Sequence, residues 1–133
     1  MSDTKIIRIV AAVIRDGQGR VLLVRKRGAD VWQQPGGKRD VDDRDDLHTL
    51  ERELLEELGC AMRREGARHM GRFSAPAANE PGYRVEAEVY EVQTVGAIEA
   101  RAEIDDVRWV HPRATGDLPI ARLSQDWILP ALG

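Results

Sequence analysis

The sequence predicts an α/β fold, strands on both sides of a central helix, in one domain over residues 1–133. Three observations point there. Segments rich in Ile and Val stand on both sides of a strongly amphipathic helix. That helix carries Leu47, Leu50, Leu54 and Leu58 at spacings of 3, 4 and 4, the phase of a core-facing stripe. Beyond it, Tyr83 to Gln93 alternates as a strand does: Val85, Ala87, Val89 and Glu91 share one phase, and Arg84, Glu86, Glu88 and Tyr90 the other.

At 133 residues the chain is long enough to bury a core of its own. A net charge of −3 is too mild to recruit nucleic acid or a membrane surface. No apolar run is long enough to span a bilayer, and Met1 to Lys5 contains no signal-peptide core. The one cysteine, Cys60, cannot form an internal disulfide, which fits a reducing cytoplasm.

In chain order, Ile6 to Arg15 is too apolar for an exposed strand and belongs in the middle of a sheet. Asp16 to Gly19 is a turn, and Arg20 to Lys26 is expected to return beside the first strand as a hairpin. Arg25, Lys26 and Arg27 form a short basic run, in which Arg25 and Arg27 are candidate phosphate contacts. A loop carrying Trp32 leads to the turn Pro35-Gly36-Gly37, followed by Lys38, a further phosphate candidate. Asp40 to Asp46 is an acidic loop with Asp45 as the expected helix N-cap. Past the stop at Gly59, strands are expected over Arg68 to Ala75, Tyr83 to Gln93 and Ile104 to His111, with Trp109 in the core. Ser124 is expected to cap a last helix, Gln125 to Leu132, which Pro130 bends or ends.

The chemistry concentrates in the central helix. Glu53, Glu56 and Glu57 stand at i, i+3 and i+4, so a helix gathers their carboxylates on one side. Such a cluster repels itself, and a divalent cation reverses the sign of that interaction. Mg²⁺ takes hard oxygen ligands, commonly a few carboxylates completed by substrate phosphate and water.

The stretch from Gly37 to Cys60 resembles the signature box of the Nudix hydrolases. Gly37 matches its first glycine, and Arg52, Glu53, Leu54, Glu56, Glu57 and Gly59 match its second half. Cys60 stands where an aliphatic is usual. Gly37 and Arg52 are fifteen positions apart, one more than the pattern has, so the first Glu of the box falls on Asp43 counted from Gly37 or on Arg44 counted back from Arg52. A loop absorbs an extra residue at little cost, whereas a slipped helix turns its face by about 100°. The insertion is therefore expected in the acidic loop, with the helix starting near Asp45 or Asp46 and Leu50, Leu54 and Leu58 buried.

The resemblance implies a mixed sheet between helices and hydrolysis of a nucleoside diphosphate linked to another group. It implies Mg²⁺, or Mn²⁺ in its place, held by Glu53, Glu56, Glu57 and the Gly37 carbonyl. Arg52 is expected to orient a catalytic glutamate. The general base is Glu53, or, from outside the box, Glu103, with Glu99 and Glu80 behind it. The expected partner is a nucleotide, with no nucleic acid or membrane, and a homodimer is left open. A MutT-like nucleoside triphosphate ranks first as substrate, although the late Asn that those enzymes use for base selection is missing from the C-terminal part. ADP-ribose or another nucleotide sugar ranks second, because Pro76 lies sixteen residues past the box, where ADP-ribose pyrophosphatases carry a proline. The alternative is a regulatory domain that binds a nucleotide without cleaving it. Such domains have usually lost box carboxylates, and all three are present here.

Overall fold

The structure, a computed structural model, describes residues 5–132; Met1 to Thr4, read above as part of an N-terminus without a targeting core, and Gly133 lie outside them. Its elements are β1 (Lys5–Ile14), β2 (Val21–Lys26), β3 (Gly36–Lys38), α1 (Asp46–Leu58), β4 (Ala61–Pro76), β5 (Tyr83–Val95) and β6 (Ile104–Val110). A π-helical turn (Ser124–Ile128) then runs into α2 (Leu129–Leu132). Among the described residues, no helix is long and apolar enough to cross a membrane.

β1 is the spine of a four-stranded mixed sheet ordered β3-β1-β5-β4. It pairs in parallel with β5 from Lys5↔Tyr83 to Ile14↔Val92, and antiparallel with β3 from Ile9↔Lys38 to Ala11↔Gly36. Both its faces are covered, which is why IVAAVI has no polar alternation. Val10, Ala12 and Ile14 join the α1 leucines in one core. Ala11 and Val13 join Leu123, Ile128 and Leu129 of the C-terminal segment in the other. The sheet is thus sandwiched between helical segments, as the resemblance implies.

The hairpin expectation is corrected. The turn itself forms, with the Asp16 N–H donating to the Arg20 carbonyl at 3.0 Å. An isolated bridge joins Arg15 to Val21. Pairing stops there, and β2 instead joins β6 in a separate two-stranded sheet. The reason is burial: Leu22 and Val24 enter the first core and Val21 and Leu23 the second, so β2 too needs cover on both faces. Pro35-Gly36-Gly37 is likewise more than a turn, since Gly36 and Gly37 belong to β3.

β4 begins at Ala61, earlier than expected, because its first half is an exposed edge whose arginines give no alternation signal. In β5 the two phases hold: Ala87 and Val89 face the second core, and Tyr90 and Val92 face α1. Glu86 and Glu88, on the Tyr90 side, are tied to Arg8, Arg72 and His69 by ion pairs. Trp109 packs partly buried on the first core, as read. Ser124 is not a cap: it is 1% exposed and lies inside the last helical segment, whose first turn has already begun at Arg122. Pro130 has no N–H and its ring crowds the carbonyl four residues back. The chain loosens there to a π turn, in which the Leu129 N–H donates to the Ser124 carbonyl.

Candidate active site

α1 is fixed at both ends by its own sequence. Asp45 caps it, its carboxylate accepting from the His48 N–H at 2.7 Å. Gly59 ends it in the left-handed region at φ 70°, donating to the Leu55 carbonyl. Leu50, Leu54 and Leu58 are all 0% exposed, and the helix starts at Asp46. The extra residue therefore lies in the loop, as expected.

The loop also resolves which residue takes the place of the first box Glu. The Asp43 side chain is 2% exposed. It accepts from Arg52 Nη2 at 2.9 Å and Nε at 3.3 Å, from Thr49 Oγ1 at 2.8 Å and from the Asp40 N–H at 2.8 Å. The Arg52 guanidinium and these donors hold its carboxyl well below the usual carboxylate range, against the effect of burial. Arg44 is exposed and enters only through its backbone, donating to His48 Nδ1. Counting from Gly37 is thus the correct register, and the insertion falls between Asp43 and the helix.

Arg52 sits between three groups. Besides Asp43 it donates to Glu53 Oε1 at 2.8 Å and to the Lys38 carbonyl at 3.1 Å. Its charge is held firmly, first by Asp43. Glu53 is therefore anchored at one oxygen. Its carboxyl is nonetheless pushed up, because burial outweighs Arg52.

Glu57 is the most buried of the three helix carboxylates at 8% exposed, and its Oε1 accepts from the Gly36 N–H at 3.2 Å. Burial pushes its pKa up to about 7, with the Gly36 hydrogen bond opposing and the Glu53 charge adding to the rise. Glu56 faces solvent. The two glycines of β3 make this approach feasible. A Cβ on Gly37 would stand 2.5 Å from the Glu53 carboxyl carbon. One on Gly36, at φ 143°, would stand 2.1 Å from the Val10 carbonyl oxygen. Among the described residues, no three His, Cys, Asp or Glu side chains form a ready-made metal cage. The set at Gly37 is open-sided and built from hard oxygens, a donor set that fits an ion completed by water and phosphate.

On the other side of β3 lies a cleft lined by, among others, Lys26, Gln34, Gly37, Lys38, Pro76 and Ser124. Gly37 is common to cleft and carboxylates. Of the basic candidates, Lys38 lines the cleft. Arg25 does not: it is paired with Asp105 at 2.9 Å and lies over the Trp32 ring, 5.0 Å from its centroid. Arg27 is exposed, its N–H donating to the Glu103 carbonyl at 2.7 Å. Lys26, part of the same basic run but not singled out in it, lines the cleft, and its charge reaches Glu53 and Glu57. The alternation of a strand was the available signal, since it puts Lys26 on the opposite face from Arg25. Glu103 and Glu99 are exposed on the segment after β5, where the Glu99 and Arg101 N–H groups donate to the last carbonyls of α1. Glu80, ranked last as a base, lines the cleft.

Comparison with known proteins gives the same picture. The NUDIX domain family profile matches residues 5–131. An uncharacterised protein of Schizosaccharomyces pombe is 40% identical over 57 residues, 38% of this chain and 17% of that protein. This chain therefore spans only a small part of the length of that curated relative. The solution structure of the E. coli ORF135 protein is similar at 25% identity and a TM-score of 0.71, over 99% of this chain and 89% of that one. The crystal structure of a MutT NUDIX hydrolase from Burkholderia pseudomallei is similar at 24% identity and a TM-score of 0.76, over 96% of both chains. With a profile matched almost end to end, on a fold that these structures share, the chain belongs to the NUDIX hydrolase family.

Proposed function

We propose that this chain is a metal-dependent pyrophosphohydrolase that cleaves the phosphoric anhydride of a nucleoside diphosphate linked to another group. The observation that supports this most is the pair Glu53 and Glu57, drawn in against Gly37 and Gly36, where Arg52, Lys26 and the Gly36 N–H offset their charge less than burial opposes it. Burying carboxylates this way is costly for a protein that does not use them to hold a cation.

Glu53, Glu56, Glu57 and the Gly37 carbonyl are the residues we assign to a divalent cation, Mg²⁺ or Mn²⁺. Bound there, it supplies charge neutralisation at the phosphate oxygens and acidifies a coordinated water. Arg52 holds one oxygen of Glu53 and leaves the other free to take the proton of the attacking water. Glu103 is the competing base from outside the helix. Lys38, with Lys26, is placed to meet phosphate from the cleft side. Arg25 and Arg27 remain proposed contacts from the end of β2, Arg25 only after leaving Asp105.

A MutT-like nucleoside triphosphate ranks first as substrate. ADP-ribose or another nucleotide sugar is a second reading, favoured by Pro76, which lies in the cleft wall. Hydrolysis of a panel of both classes, with and without Mg²⁺, decides between them. It also separates an enzyme from a domain that only binds nucleotide. On the preferred substrate, Glu56→Gln and Glu57→Gln should each lower kcat by about two orders of magnitude or more. Wild-type rates in both variants would remove these glutamates from the metal site.

A further inference from the structure

Gln34 is a polar residue in an apolar position. It follows Trp32 and Gln33, is 6% exposed, and forms part of the cleft wall with Ala11, Ala121, Leu123 and Ser124. Its two amide ends are treated differently. Nε2 donates to the Ala12 carbonyl at 3.1 Å. Oε1 is shielded from solvent and has no hydrogen-bond partner. The reverse orientation would press two acceptors together at Ala12, so the carbonyl end is fixed as the free one. Among the described residues it is the one buried side-chain atom left in this condition.

A buried acceptor without a donor weakens the fold, and native chains rarely keep one without a use. An aliphatic side chain would fill the same space without an unpaired oxygen of its own, at the cost of the hydrogen bond to Ala12. The surrounding wall has the features of a ligand seat. Ser124, 1% exposed, opens the π-helical turn, a distortion often found at functional sites. Lys26, Gly37 and Lys38 line the same cleft.

We propose that Gln34 Oε1 is a specificity group that accepts a hydrogen bond from an N–H of the substrate's nucleobase. The inference rests on the reading that this cleft takes a nucleotide. The phosphates lie at Gly37 and Lys38, and the base enters the opposite end of the cleft. Oε1 is shielded in the free protein, so this contact requires the Gln34 amide to turn toward the cleft as the base binds. The site thereby rejects a compound that offers an acceptor, or nothing, at that point, because the buried oxygen then stays unpaired.

The test measures binding alone, without metal or turnover, so it gives an answer whether or not the protein hydrolyses anything. AMP, GMP, CMP, UMP and ribose 5-phosphate are titrated calorimetrically into the wild type and into Gln34→Met, which keeps the side-chain volume. The wild type should bind at least one of the nucleotides about tenfold more tightly than ribose 5-phosphate. Gln34→Met should lose that advantage, leave ribose 5-phosphate unchanged, and keep the melting temperature of the free protein. If the variant folds poorly, the wild type is titrated with the preferred nucleotide and with its analogue lacking the base N–H, such as purine riboside 5′-phosphate for AMP. The analogue should bind about tenfold more weakly. Equal affinity for the analogue, undiminished nucleotide affinity in Gln34→Met, or no preference over ribose 5-phosphate overturns the assignment.

Discussion

Asp43 reaches the carboxylate cluster only through Arg52. It grips the guanidinium with both oxygens, and the same guanidinium holds Glu53. Asp43→Asn keeps the shape but removes the charge that fixes Arg52. It should lower kcat by about ten- to a hundredfold, the usual cost of losing such a supporting partner, with KM changed less. Equal kcat in variant and wild type would make the pair purely structural. Glu57 adds a pH dependence. Without metal, the folded chain holds its proton up to about pH 7, against an ordinary value of 4.5. Between those values the folded state binds more protons than the unfolded, so stability falls as pH rises and levels off above about 7. Melting curves in a chelator from pH 5 to 8 should show this decline, and Glu57→Gln should flatten it and melt higher at pH 8. A rising curve would contradict the burial of this carboxyl.

At the level of elements, α1 tests the placement of the extra residue. Leu54 is fully buried, and its neighbour Leu55 is 59% exposed. Leu54→Ala should cost about 2–5 kcal/mol in urea unfolding, and Leu55→Ala no more than about 0.5 kcal/mol. Comparable losses would mean a helix turned about its axis. This phase, the Asp45 cap and the Gly59 stop were legible in the sequence because each is set within a turn or two of chain. The hairpin was misread for the opposite reason. Asp16 to Gly19 marks a reversal, but which strand lies alongside β2 depends on β6, whose first residue, Ile104, pairs with Lys26 far along the chain. Ser124 looked like a cap because Ser commonly is one, and only packing against the second core shows that the helix has already started.

Across the whole molecule, the order of strands and helices could be read apart from β3, and so could the gathering of Glu53 and Glu57 beside Gly37 and Gly36. The basic half of the site could be read only in part, through Lys38, which lines the cleft. Arg25 faces Asp105 and Trp32 from strands and loops that no local pattern connects, and only strand alternation set Lys26 apart from Arg25. Gln34 was invisible for a related reason: a glutamine in a loop carries no mark of burial until the cleft closes round it.

The pairing of β1 with β5 also sets a timetable for synthesis. The segment that carries Gly37 and the three glutamates leaves the ribosome in the first half of the chain. Its leucine stripe finds Val92 and Ile104 in the core, and β1 and β2 find their main partners, only after β5 and β6 have emerged. Until then β1 and β2 are apolar strands with open edges, and the carboxylates have no packed floor beneath them. The nascent chain therefore displays apolar, aggregation-prone segments early and completes its candidate site late, so that the carboxylate cluster is assembled only when nearly the whole domain has been made.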